Sequence, residues 1–144
     1  MNKSLVFFAA LFSNTPAFAD PIDMYVEQIA DPLKHAIRVA HEAGYGTSHE
    51  PHADTLRQGG RQDVQVNLRS GVNYRILGVC DNDCRDLDLA LYDENGKLIS
   101  DDQKTDDLPA VSVTPRWTGP FTVRATMASC RTRQCLYGFQ TFSR

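Results

Sequence analysis

The stretch from Val79 to Tyr92, VCDNDCRDLDLALY, sets two cysteines and four aspartates just ahead of an alternating apolar run. Asp81, Asn82, Asp83, Asp86 and Asp88 could supply several hard oxygens, and calcium takes about six to eight of them. The spacing of a helix-loop-helix calcium site, with its central glycine and closing glutamate, is absent. Asp and Asn are also the residues that cap nearby amides in tight turns. Leu87, Leu89 and Leu91 share one strand face, so Asp86 and Asp88 point together to the other. Turn chemistry is the expectation; a calcium site of Asp81, Asp83, Asp86 and Asp88 is the competing one.

The chain has four cysteines, Cys80, Cys84, Cys130 and Cys135. In an oxidising compartment an even count reads as two disulfides, and four cysteines allow three pairings. Loop-closure entropy favours crossed pairs, at about 4 kcal/mol for a long loop against about 2 kcal/mol for a ring this small. Proximity favours Cys80–Cys84 and Cys130–Cys135, because each pair brackets what reads as a hairpin tip. A four-thiolate zinc site fits the gaps of three and four residues. Thiolates compete poorly with oxidation outside the cytoplasm. There is no Cys-x-x-Cys redox motif.

Other side chains carry weaker signals. Arg131 and Arg133, between Cys130 and Cys135, would stand on a stapled tip, where pre-organised guanidinium groups recognise carboxylate, sulfate or phosphate. His49 and His52, with His41 upstream, could hold zinc or copper, but Pro51 forbids the helical His-Glu-x-x-His arrangement. Trp117 is either a packed aromatic or a glycan platform. The chain lacks a Gly-x-Ser-x-Gly elbow, a phosphate loop and a dinucleotide fingerprint, so no catalytic and no cofactor-binding residues are assigned.

The elements that must position these groups begin after an apparent leader. Lys3, the apolar run from Leu5 to Phe12 and Ala17-Phe18-Ala19 have the layout of a secretory signal peptide, residues 1–19. The apolar run is far shorter than the roughly 20 residues of a membrane span. The remainder carries 14 basic and 18 acidic side chains, net −4, a poor footprint for nucleic acid. Residues 20–44 repeat apolar side chains at three- and four-residue steps, which predicts two short helices, or one kinked at Pro32, ending at Gly44. Asp20-Pro21 and Asp31-Pro32 read as N-cap and first helical residue. Residues 45–60, mixed in Gly, Ser, His and Pro, read as a linker loop. From 61 to 144 the period becomes two, around Val64–Leu68, Leu87–Leu91, Val111–Val113 and Phe121–Met127, with turn signals between. The fold class is mainly β: an antiparallel β-sandwich or jelly roll with an N-terminal helical segment.

Three motifs in this region resemble a known family. Arg69-Ser70-Gly71-Val72-Asn73-Tyr74, then Asp86-Leu87-Asp88-Leu89-Ala90-Leu91-Tyr92-Asp93 with Asn95-Gly96, then Trp117-Thr118-Gly119-Pro120-Phe121-Thr122-Val123-Arg124 are similar to the bacterial pre-peptidase C-terminal domain, over about residues 60–143. The resemblance implies a small jelly-roll-like module that accompanies secreted enzymes and in some members binds calcium or a matrix substrate. The expectation is a periplasmic or secreted, non-catalytic binding or accessory module with a protein or glycan partner. A calcium-dependent adhesion or targeting module, and a small hydrolase or lyase using the aspartate-rich loop, are the alternatives.

Overall fold

The computed structural model describes residues 16–17, 21–105 and 107–144. The predicted signal peptide lies outside the described residues, apart from Pro16 and Ala17. Two helices, α1 (Pro21–Gln28) and α2 (Ala30–Glu42), precede nine strands: β1 (Gly46–Thr47), β2 (His52–Arg57), β3 (Arg61–Leu68), β4 (Tyr74–Cys80), β5 (Cys84–Tyr92), β6 (Leu98–Asp102), β7 (Ala110–Val113), β8 (Gly119–Cys130) and β9 (Gln134–Ser143). Every strand pairing is antiparallel. One sheet has the order β1-β9-β4-β7, with β2 also on β9; the other runs β3-β8-β5-β6. The chain therefore changes sheet at almost every connection, and among the described residues only β5 and β6 are consecutive strands paired with each other.

The helices form a third layer. Between the sheets, Leu87, Leu89 and Leu91 meet Ile76, Val111, Phe121, Val123, Tyr137 and Phe139, all buried. A second cluster lies on the outer face of the β9 sheet. There Ile29, Leu33, Ala36 and Ala40 cover Ala53, Leu77, Val79, Leu136 and Phe142. β4 and β9 are thus buried on both faces, and β9 is buried at eight consecutive positions. Such strands carry no alternation, because neither face meets water.

The helix break falls at Ile29, not Pro32. Asp31 and Pro32 lie inside the first turn of α2, where a missing amide hydrogen costs nothing. Ile29 itself is 1% exposed and reaches Gly138: a Cβ built there would lie 2.5 Å from Ile29 Cδ1 and 2.6 Å from the His52 carbonyl oxygen. The bare backbone at Gly138 is what lets the helical layer approach this closely. α2 runs to Glu42, and Gly44, the predicted stop, follows the cap residue Ala43 with a φ of 85°. The Gly44 amide donates to His41 O at 2.9 Å and the Tyr45 amide to Ala40 O at 3.0 Å, closing the helix terminus.

The segment read as a linker is part of the sandwich. β2 pairs with β9 from His52↔Phe139 to Arg57↔Gln134, and β1 adds Gly46↔Ser143 and Thr47↔Phe142. Its polar residues sit on an edge strand that is half open to water, so the apolar alternation used to recognise strands is missing.

Candidate functional site

The two cysteine pairs form the local disulfides Cys80–Cys84 and Cys130–Cys135, with Cα–Cα separations of 5.8 and 5.9 Å. Neither closes a hairpin. β4 and β9 lie in one sheet and β5 and β8 in the other, so each bridge spans a crossover between the two layers. The crossovers are neighbours, because Cys84 and Cys130 face each other in the β5–β8 register. With every cysteine oxidised, no thiolate remains for the zinc alternative.

Asp81 ties the two crossovers together. Its Oδ1 accepts from the Asp83 amide at 3.2 Å and the Cys84 amide at 3.1 Å, while Oδ2 accepts from the Leu136 amide at 2.9 Å. The Asp81 amide in turn donates to Leu136 O at 3.0 Å. Both carboxylate oxygens thus serve the backbone, as a turn-forming aspartate does. Asp83 is exposed, and its carbonyl accepts from the Arg131 amide at 2.8 Å. Asp86 and Asp88 lie half-buried on the face opposite the leucines, as the alternation requires. The structure therefore does not bring the four aspartates together: among the described residues no three His, Cys, Asp or Glu side chains converge on a point that could hold a metal.

Arg131 and Arg133 are exposed on the Cys130–Cys135 crossover. Its backbone is held at Arg131 by Asp83 O and at Arg133 O by the Gln58 amide at 3.3 Å, and Thr132 Oγ1 donates to Gln134 O at 2.8 Å. The disulfide and these bonds fix the loop, and neither guanidinium group forms an ion pair with any described residue.

The three histidines considered as metal ligands, His41, His49 and His52, lie apart in separate surroundings. His41 lies on α2. His49 Nε2 sits 2.8 Å from Asn67 O, with the ring edge-on to Tyr74. His52 belongs to a polar cluster that sequence reading missed. Its Nε2 lies 3.0 Å from Tyr137 Oη and 3.3 Å from Gln62 Oε1; Tyr137 Oη donates to Gln62 Oε1, and Gln62 Nε2 donates to Asp54 Oδ2 at 2.9 Å. Burial lowers the His52 pKa, against the opposing pull of Gln62 and Asp54. Burial, helped by the negative charge of Asp54, raises that of Tyr137. The cluster joins β2, β3 and β9, and each of its four side chains has at least one hydrogen-bond partner. Its hydrogen bonds fasten β2 and β3 to β9.

Arg124 on the outer face of β8 grips Asp63 with two bonds of 2.7 and 3.0 Å and lies over the Tyr92 ring, 4.9 Å from its centroid. The hydrogen bond from Arg124 is the main reason the Asp63 carboxyl titrates below its ordinary value. Trp117 is 37% exposed and lies nearly parallel to Phe121, with ring centroids 6.0 Å apart.

No protein-family model and no curated protein matches the chain. Among solved structures it is similar to the pre-peptidase C-terminal domain of collagenase from Bacillus anthracis, at 12% identity and a TM-score of 0.51, over 64% of this chain and 87% of that one. Looser likenesses are a de novo designed double-stranded β-helix, at 12% identity and TM-score 0.38 over 65% of this chain and 99% of that one, and an acetyl xylan esterase from Butyrivibrio proteoclasticus, at 18% identity and TM-score 0.36 over 69% and 31%. No helix among the described residues is long and apolar enough to cross a membrane. The two disulfides point to an oxidising, extracytoplasmic setting. The antiparallel sandwich, its changes of sheet and its match over most of the solved domain give this chain a pre-peptidase C-terminal-like fold.

Proposed function

We propose that this chain is an exported, non-catalytic accessory module that binds a protein or glycan partner in the periplasm or medium. One observation carries the reading. Two disulfide-closed crossovers, bonded to each other through Asp81 and Asp83, build a stiff end of the sandwich that presents Arg131 and Arg133. A fixed guanidinium pair loses little conformational freedom when it meets an anionic group. The chain carries a net charge of −3, so retention on a polyanion would have to come from a local cationic patch. The test is chromatography of the oxidised protein on heparin and on a carboxylate resin. Salt-dependent retention that disappears in the Arg131→Ala/Arg133→Ala double variant supports the reading. Flow-through of the parent protein on both resins removes the arginine tip from it. Mass spectrometry of the exported protein, showing cleavage after Ala19, checks the compartment.

A second reading, calcium binding at the aspartate-rich strand, is favoured by Asp86 Oδ1, a buried carboxylate oxygen with no hydrogen-bond donor. Isothermal titration with millimolar calcium tests it, and the absence of heat removes it.

A further inference from the structure

We propose that the notch between the β5–β6 turn and the β7–β8 loop binds a pyranose ring of a glycan. The proposal rests on the binding-module reading and adds to it a second surface with a stated ligand class. The notch encloses about 300 Å³ and is lined by Ile99, Lys97, Arg116, Trp117 and Phe121, among others. That volume lies at the small end of ligand sites, which run from about 300 to 1,000 Å³. Trp117 and Ile99 are two of the few large apolar side chains more than a third exposed. Buried Phe121 backs one face of the Trp117 ring at an interplanar angle of 20°, so the indole is held as a platform rather than left to rotate.

Both segments that carry the polar groups are pinned. In the β7–β8 loop, Pro115 O accepts from the Gly71 amide at 2.8 Å, Arg116 O from Ser70 Oγ at 3.0 Å, and Thr118 Oγ1 from the Ser70 amide at 2.9 Å. In the β5–β6 turn, Asp93 is 5% exposed and its Oδ1 accepts from the amides of Asn95 and Lys97 at 2.9 Å each. Lys97 and Arg116 form no ion pair with any described residue. Glu94 stands beside the platform: a Cβ built on Gly119 would lie 3.5 Å from Glu94 Oε2 and 3.6 Å from Trp117 Cδ1.

The notch thus combines an aromatic face with the cationic donors Lys97 and Arg116 in its lining, and the Glu94 carboxylate stands at its margin beside Trp117. Sugar hydroxyls both donate and accept, and a pyranose with equatorial substituents offers a flat C–H face to an aromatic ring. Such a ligand uses all three kinds of group at once. An acidic peptide would meet Glu94 as a like charge, and an apolar helix would leave Lys97 and Arg116 desolvated without partners.

Trp117 is the only tryptophan in the chain, so its fluorescence reports this notch and no other site. Cellohexaose and chitohexaose are the probes, titrated into the oxidised full protein. Either one should give a saturable emission shift, and Arg116→Ala and Glu94→Gln should each weaken binding by about tenfold while leaving the circular dichroism spectrum unchanged. Calorimetry should show the heat of sugar binding lost in Trp117→Ala. No emission change and no heat at several millimolar of both sugars would overturn the proposal. So would an equal emission response to poly-L-glutamate, or sugar affinity unchanged in all three variants. The resin assay with Arg131 and Arg133 reads the other end of the molecule, so an unresponsive notch with a retentive tip sinks this proposal and spares the module reading.

Discussion

Substituting Asp81 separates a structural aspartate from a metal ligand. Asp81→Asn keeps the shape of the side chain but replaces one acceptor oxygen with a donor. In either orientation of the amide, an N–H group must then face a backbone N–H: that of Leu136, or those of Asp83 and Cys84. Leu136 is 5% exposed, so its amide cannot readily turn to water. A buried donor left unsatisfied costs about 1–3 kcal/mol, so the amide keeps its oxygen on Leu136 and turns its N–H group to the Asp83 and Cys84 amides, and the two turn bonds given up set the loss for Asp81→Asn near about 2 kcal/mol. Asp81→Ala gives up all three bonds. The two within the turn are partly replaced by water at about 0.5–1 kcal/mol each, so its loss is near 3 kcal/mol. For a domain of this size about 4 °C of Tm accompanies each kcal/mol, which predicts drops of about 8 and 12 °C. Thermal unfolding of the oxidised proteins by circular dichroism, with and without a chelator, reads both numbers. The reasoning is refuted if both variants melt within about 2 °C of the parent, or if the loss in Asp81→Asn appears only when calcium is present.

Other outcomes are equally open to measurement. Because burial depresses the His52 pKa, its share of stability is complete above the ordinary value of 6.5 and drains as pH falls through the window beneath it; in denaturant titrations the stability gap between parent and His52→Gln should stay constant above about pH 7 and shift in favour of the variant below it. The lowered Asp63 pKa places a further step in acid, with stability present above 3.8 and lost as pH falls through the folded-state value; Arg124→Met should erase that step. Gly138→Ala should cost about 1–3 kcal/mol by forcing the new methyl against Ile29 and the His52 carbonyl, and Ile29→Ala should cost about 2–5 kcal/mol by opening a cavity in the same layer, while a Gly138→Ala protein as stable as the parent would deny the close approach. Reduction should remove about 2 kcal/mol per bridge, and non-reducing peptide maps should show Cys80–Cys84 and Cys130–Cys135 with no crossed species.

What could be read from the residues alone followed from which surfaces meet water. β3, β5, β7 and β8 each have one wet and one packed face, so their apolar residues alternate and their positions were legible. β4 and β9 escaped a period-two reading because the sandwich covers one face and the helices the other. β2 escaped for the opposite reason: it lies on an open edge, and its His, Asp, Thr and Arg side chains resemble those of a loop. The local disulfides followed from proximity along the chain, yet the strands they join belong to different sheets, a fact of topology that spacing does not encode. At the site, Asp81 behaves as turn chemistry predicts, whereas the contacts of Gln62 with His52 and Tyr137 required knowing that β2, β3 and β9 meet.

β9 is the partner of β1, β2 and β4, and it follows all of them in chain order. During synthesis those three strands have nothing to complete their sheet, and both hydrophobic clusters lack a wall until residues 134–143 arrive. Pairings this distant along the chain close slowly. The sheet built on β9 therefore closes late: β1, β2 and β4 reach their final pairing only once residues 134–143 slot among them.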